Sequence, residues 1–260
     1  MDAVYADAWG RVIDPLGGLP DLNSRHVRFI GKAQDRIAED YLRILRFFRF
    51  AAWYGDPHLG FDPDALAAIA DGLDGLSGLS RERIGAEMKK LLSAPDPAPA
   101  VGSMEQTGVL LAVLPGSVTR SLALLVHLEQ NFGFVPDAIR RMAAIAVFDG
   151  TELRLSKKEQ RRLAQYQSLI STNESASELG YRHGSDIARD VLLLRAALIE
   201  IPLKSDVLEA AETGAAQTCP VNAGDLMPDY SGAALGEKLR EIESRWIASG
   251  FTLSKTELLG

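Results

Sequence analysis

The chain of 260 residues has a single cysteine, Cys219, so it can form neither an internal disulfide nor a zinc site built on clustered thiolates. That fits a reducing compartment, with Cys219 as a small packing residue. Its four histidines, His26, His58, His127 and His183, are scattered without ligand spacing, and no Ser or Cys nucleophile is paired with them. Long apolar runs are missing too: the stretch from Leu192 to Leu203 is interrupted by Arg195 and Glu200, so no membrane partner is expected. The first residues, Met1-Asp2-Ala3-Val4-Tyr5, lack the basic-then-apolar order of a signal peptide. A cytoplasmic protein is the resulting expectation. No Gly-rich segment follows a strand and opens a helix as a phosphate-binding loop must. Nor is there a surplus of positive charge. A formal net charge of −7 excludes a uniformly basic nucleic-acid coat.

What is present is apolar content and uneven charge. At 47% hydrophobic residues the chain can bury a substantial core in one or two compact domains. Between Arg25 and Arg49 seven Lys and Arg face three Asp and Glu, a local surplus of four that keeps RNA binding open. The first thirty residues read as short strands. Ala3–Ala6 and Arg11–Ile13 flank a Gly-bearing turn as a hairpin, and Val27–Gly31 alternates as a third strand. Three strands this short make a poor sheet alone and leave an unpaired edge. After Ala33 the pattern is helical almost throughout, so the fold class is mainly α, with a short N-terminal β portion. Helices are expected around Glu39–Trp53 and over Asp62–Asp71, Arg81–Leu92, Ala100–Thr107, Thr119–Gln130, Asp137–Phe148, Lys157–Ile170, Asp186–Ile201, Asp206–Thr213 and Leu235–Ser249. Ser156 and Glu159 have capping-box spacing, and Leu235, Leu239, Ile242 and Trp246 form an amphipathic stripe. Pro95, Pro97 and Pro99 mark a candidate boundary.

The most informative stretch runs from Asp35 to Phe50. At about 100° per residue, Arg36, Glu39, Asp40, Arg43 and Arg46 fall on one helical stripe, and Ile37, Tyr41, Ile44, Leu45 and Phe48 on the opposite, buried side. Phe47 falls on the polar stripe, where packing is the commoner fate of an aromatic. Asp40 and Arg43 are three apart, so on a continuous helix their side chains lean over one surface spot. A carboxylate accepts hydrogen bonds and a guanidinium donates them. Cytosine and adenine each set an amino donor beside a ring-nitrogen acceptor, whereas uracil and guanine reverse that order. The pair is therefore complementary to C and A. On geometry alone the plainer alternative, an ion pair on a solvated helix, stands beside it.

Glu39-Asp40-x-x-Arg43, continued as Leu45-Arg46-x-x-Arg49-Phe50, resembles the nucleobase-recognition helix of class II tRNA nucleotidyltransferases, the CCA-adding enzymes, and of the related bacterial poly(A) polymerases. Upstream, Asp14-x-x-Gly17-Gly18-x-x-Asp21-Leu22 is similar to the family segment that joins head to neck. Downstream, Ser80-x-Glu82-Arg83-Ile84 with Glu87, Lys90 and Leu91 resembles another of its helices, and Met104-Glu105-x-x-Gly108-x-Leu110, ending at Leu114-Pro115, an element of its body. The four motifs occur in family order. The resemblance implies three regions: a β remnant of the nucleotidyltransferase head over 1–33, a helical neck over 34–95, and an all-helical body and tail over 96–260 that binds RNA.

It also implies roles. Asp40 and Arg43 would read the base edge of ATP or CTP, Arg46 would approach the nucleotide, and Glu39 would hold an arginine in place. Arg49 reads as a solvated surface residue. Lys157, Lys158, Arg161 and Arg162, with Arg154 and the earlier Arg140 and Arg141, form a second basic cluster that could draw phosphates of a tRNA or other RNA 3′ end. A solvated helix face is the plainer reading of that cluster. The family's head carries a phosphate loop, an Asp-x-Asp pair for Mg²⁺ and an Arg-Arg-Asp ahead of Asn-Ala-Leu. Here Met1-Asp2-Ala3-Val4 aligns with the end of that last element. Asp62-Pro63-Asp64 is the one formal Asp-x-Asp, and it reads as a helix start: Asp cap, Pro at the first position, Asp in the first turn. The expectation is a portion of a CCA-adding or poly(A)-adding protein with no metal site or catalytic residue of its own, inactive by itself. The alternative is a non-catalytic RNA-binding helical module.

Overall fold

The computed structural model describes residues 5–15 and 17–260, so the alignment of Met1–Val4 with a family element lies outside the described residues. The chain gathers into two compact units, residues 1–170 with 193–201, and residues 171–192 with 202–260.

The first unit opens with a two-stranded antiparallel ribbon, β1 (Tyr5–Ala6) and β2 (Val12–Ile13), with Tyr5 opposite Ile13 and Ala6 opposite Val12. Its turn is shaped by the Asp7 carboxylate, which accepts from the N–H groups of Trp9 (2.9 Å) and Arg11 (2.8 Å). The expected third strand does not form. Residues 27–30 have no strand partner among the described residues, and Phe29 instead stacks on Phe47 with ring centroids 5.4 Å apart. Ahead of it lies a short helix that periodicity did not reveal, α1 (Leu19–Ser24), whose first N–H groups are met by the Asp14 carboxylate at Gly18 and Leu19, both 2.8 Å.

Then come α2 (Ala33–Glu39), α3 (Leu42–Tyr54), α4 (Pro63–Asp71), a 3₁₀ turn over Leu73–Gly78, α5 (Arg81–Leu92), α6 (Ala98–Gln106), α7 (Val109–Val113), α8 (Arg120–Asn131), α9 (Ala138–Ala144) and α10 (Lys157–Ile170). Helices whose ends are written in local side chains start where the sequence places them. Asp62 caps α4 through the Ala65 N–H (2.9 Å) with Pro63 in the first turn, and Ser80 caps α5 through the Arg83 N–H. Ser156 and Glu159 close the capping box ahead of α10. The helix expected to continue to Phe148 stops at Ala144, because Ala146 turns left-handed (φ +63°) and Val147 N–H returns to the Met142 carbonyl (2.9 Å).

The core of this unit is the apolar face of α3, with Leu42, Ile44, Leu45, Phe47 and Phe48 buried, together with Ile84, Met88, Leu91 and Leu92 of α5 and Val101 and Met104 of α6. Each such side chain contributes on the order of 1.5–3 kcal/mol by leaving water. Arg140 and Arg141, grouped above with a surface cluster, are buried as well. Both guanidiniums close on Glu129, each through its Nε at 2.8 Å, because α9 packs that face inward. Arg141 also donates to the Leu92 carbonyl (2.7 Å) and to those of Ala94 and Pro95, fastening the proline-marked turn between α5 and α6.

The second unit contains α11 (Ala176–His183), most of α12 (Ser185–Ile199), α13 (Ser205–Ala215), α14 (Ala223–Leu226), α15 (Gly232–Ala248) and α16 (Lys255–Leu259). α11 and α13 cross so closely that a Cβ on Gly180 would stand 1.9 Å from the Ala211 carbonyl oxygen. Ile242 and Trp246 of α15 bury against Val221, Leu226 and Leu258, with Leu235, Leu239 and Cys219 packed at the edge. The amphipathic stripe and the packing cysteine are thus both seen. Among the described residues no helix is long and apolar enough to cross a membrane.

Candidate nucleotide and RNA interface

The segment expected to be one helix from Arg36 to Phe50 is two. α2 ends at Glu39, Asp40 is extended (φ −160°, ψ 106°), and α3 begins at Leu42. The cause is local competition: the Asp40 carboxylate accepts from the Leu42 N–H (3.1 Å), giving the new helix a side-chain acceptor at its start. The neighbouring Tyr41 is seated by contact, its ring lying where a Cβ on Gly75 would come within 2.1 Å. Asp40 and Arg43 therefore do not share a continuous helical face, although Arg43 remains one turn away through its N–H bond to the Asp40 carbonyl (3.0 Å).

Each side chain is engaged. Arg83 of α5 places Nη2 on both Asp40 oxygens, 3.1 Å from Oδ1 and 2.9 Å from Oδ2. Arg43 donates to the Arg36 carbonyl (2.8 Å) and to Glu39, which also accepts from Arg36 (2.9 Å). Glu39 thus holds two arginines. The Arg43 hydrogen bond, helped by Arg36 and opposed by desolvation, keeps its carboxyl below the ordinary glutamate value. Arg46 is exposed, with Nε 3.9 Å from Glu87. Arg49, expected to be solvated, is not: its side chain is 15% exposed, Nε donates to Glu87 (2.6 Å), and the guanidinium lies 4.0 Å above the Phe50 ring. Buried Glu87 supplies the reason: Arg49 gives its carboxylate the shortest of its ionic contacts, Lys90 standing at 3.4 Å and Arg46 at 3.9 Å.

Of these residues Arg36, Arg43, Arg46, Arg49 and Glu87 line a groove of about 510 Å³, whereas Asp40, Glu39 and Arg83 stand outside its lining. Arg28, Arg36, Arg43, Arg46, Arg49 and Lys90 face it, Glu87 is its one carboxylate, and Phe29, Phe47 and Phe50 supply aromatic surface. Phe47 packs between Phe29 and Phe48 and is buried, as its residue type suggested. Excess positive charge over an aromatic floor suits phosphates beside a planar ring.

On α10, Lys157, Lys158 and Arg161 are exposed. Arg162 is half-buried, bonded to Asp137 (2.7 Å) and 5.3 Å over the Tyr166 ring. Arg154 is exposed, 3.5 Å from Glu82. Arg28, Arg83, Glu87 and Lys90 were not singled out for the nucleotide site from sequence. Arg83, Glu87 and Lys90 stood within a quoted motif, but nothing local ties Arg83 to Asp40, 43 positions away. No group of three or more His, Cys, Asp or Glu gathers as a metal site among the described residues. Asp62 and Asp64 do not fit one, because the Asp62 carboxylate caps α4 and faces His26 (3.8 Å).

The fold and the groove define a mainly helical protein with an acid–arginine junction beside a basic, aromatic-floored cleft. A family profile described as "Probable RNA and SrmB- binding site of polymerase A" matches residues 58–119. The human mitochondrial CCA tRNA nucleotidyltransferase 1 is 30% identical over 287 residues, which cover 100% of this chain and 63% of that protein. The CCA-adding enzyme of Streptococcus gordonii is 30% identical over 264 residues, covering 94% and 64%. Among solved structures, the Bacillus stearothermophilus CCA-adding enzyme in complex with CTP superposes with a TM-score of 0.65 at 23% identity, covering 95% of this chain and 67% of that one. The Thermotoga maritima enzyme complexed with tRNA gives 0.63 at 18%, covering 96% and 66%. At those identities the superpositions speak for the fold. The sequence matches and the profile support a protein of the class II CCA-adding enzyme and poly(A) polymerase type. The chain spans slightly under two thirds of the length of these curated relatives.

Proposed function

We propose that this chain supplies nucleobase recognition for C and A, and a grip on an RNA 3′ end, to nucleotide addition of the CCA-adding or poly(A)-adding kind. The observation that carries the reading is the acid–arginine junction at the α2–α3 break, with Arg43 opening onto a groove of six cations and a single carboxylate. Asp40 accepts from the exocyclic amino group of C or A, and Arg43 donates to the adjacent ring nitrogen. Glu39 orients Arg43, and Arg46 approaches the nucleotide from the next turn of α3. The 34–95 region acts as the neck that carries this template. Residues 96–260 hold RNA, with Lys157, Lys158 and Arg161 on phosphates and Arg162 at the inner edge of the same face. The partners are therefore ATP or CTP and a tRNA or other RNA 3′ end.

Divalent ions, where present in such a reaction, neutralise the transferred phosphates and orient the attacking hydroxyl. Among the described residues no cluster of carboxylates or histidines gathers to hold them, and the role proposed for this chain is recognition and grip without the transfer step itself. The test is competition among the four nucleotides for wild type, Asp40→Ala and Arg43→Ala. Either change should erode the preference for C and A over U and G by roughly ten- to a hundredfold, from about 1–3 kcal/mol per base-edge pairing. Unchanged selectivity in both would reduce the junction to scaffold. A second reading, a non-catalytic RNA-binding module, draws on the description of the profile matching residues 58–119. It predicts RNA binding with no preference among nucleotides.

A further inference from the structure

The carboxylate assigned to the base is already occupied. Arg83 spans both Asp40 oxygens through one nitrogen, while Oδ1 also accepts from the Leu42 N–H at 3.1 Å. The two contacts differ in kind. The Leu42 bond is backbone, formed at the start of α3, and it holds the carboxylate in place. The Arg83 bond is made by a long side chain, 47% exposed, reaching from α5 to an acid that is 28% exposed. It can be released by rotation about its own side-chain bonds, with no helix moving.

We propose that Arg83 is a specificity-determining residue: its guanidinium holds the Asp40 carboxylate in the ligand-free chain and yields it only to a base that brings a replacement donor. The inference rests on the base-recognition reading above. A guanidinium presents N–H donors and no acceptor, as the amino edge of cytosine or adenine presents a donor at the corresponding place. Exchange of Arg83 for such a base conserves the hydrogen bond to Asp40. Exchange for uracil does not, because a carbonyl oxygen would face a carboxylate oxygen and both acceptors would be left without a proton between them. Bases lacking the donor gain nothing from the acid, and those having it must displace Arg83 to reach it, so the Arg83 contact sets the size of the preference by tempering it. Arg43 has less to give up, since its bond to the Arg36 carbonyl keeps it in position while Glu39 lets go.

The test is isothermal titration of the 260-residue chain with CTP and with UTP, in wild type, Arg83→Gln, Arg83→Lys, and Arg83→Gln combined with Asp40→Asn. The CTP-to-UTP affinity ratio is the readout, because loss of one positive charge weakens both triphosphates alike and cancels. An exposed ion pair of this kind corresponds to up to about a fivefold change, so Arg83→Gln should raise the ratio about fivefold. Arg83→Lys, which keeps the charge and a donor on a shorter side chain, should raise it less. With Asp40→Asn in place, Arg83→Gln should change nothing. If wild type prefers CTP and Arg83→Gln leaves the ratio where it was or lowers it, the role given to Arg83 is wrong while base recognition stands. If no form of the protein distinguishes CTP from UTP, base recognition fails and this proposal falls with it.

Discussion

Two clusters in the first unit set one glutamate between two arginines, and their surroundings are opposite. At the α2–α3 junction, Glu39 accepts from Arg36 and Arg43, all three partly exposed. Under α9, Glu129 accepts from Arg140 and Arg141, with all three nearly removed from solvent. Further donors of that buried pair go to backbone, including three carbonyls between Leu92 and Pro95. No ligand could take a partner's place there without stranding a charge in the core. In the exposed cluster water covers any group that is released, so partners can be exchanged at small cost. The same residue types thus make a fastener in one place and an exchangeable contact in the other, and burial decides which.

The contrast can be broken most forcefully by truncating each glutamate. Glu129→Ala leaves two guanidiniums facing an empty site and should destabilise the chain by about 3–5 kcal/mol in urea unfolding, if it folds at all. Glu39→Ala should leave the unfolding midpoint essentially where it is. Equal effects at the two positions would erase the distinction.

A smaller effect is expected from acid. Burial pushes the Asp137 carboxyl up, but the Arg140 N–H, the Arg162 side chain and the charges of both arginines outweigh it and hold the group below its ordinary value. A group depressed in the folded state contributes stability that is complete above its unfolded value, near pH 4, and is lost as pH falls through the folded one. Asp137→Asn should therefore lower stability at neutral pH and flatten the acid limb of the stability curve below about pH 4. An unchanged acid limb would mean that the α9–α10 contact contributes nothing.

Smaller again is the salt dependence of RNA binding. Replacing Lys157, Lys158 or Arg161 with Ala should reduce the slope of log affinity against log salt by about 0.7 for each single-strand phosphate that the side chain no longer neutralises. The same replacement at Arg162, which Asp137 engages, should act more on stability than on that slope. A slope indifferent to all three exposed cations would return α10 to a solvated face.

How much was legible depended on how local each cause is. α5 and α10 were bounded correctly because Ser80 and Ser156 write their starts into adjacent side chains. The break at Asp40 was not, because helical periodicity runs straight through it and only the Asp40 side chain's hold on the Leu42 N–H opposes it. Residues 27–30 alternate like a strand but have no partner strand among the described residues, so Phe29 followed the nearest apolar surface instead. Arg140 and Arg141 looked like surface charge because Glu129, which draws them inward, lies on another helix. The nucleotide roles proposed for Asp40, Arg43 and Arg46 come from the resemblance alone, whereas the engagement of Asp40 by Arg83 and of Arg46 by Glu87 is set by where α5 packs and is not written locally.

The central claim is that the exposed cluster exchanges partners with a base and the buried one does not. It is tested most directly by following the arginine Nε–H resonances of the chain during titration with CTP and, separately, UTP. The Arg43 signal should shift with CTP and barely respond to UTP, while that of Arg141 stays fixed in both. An Arg43 signal unmoved by CTP, or moved equally by UTP, would contradict the account.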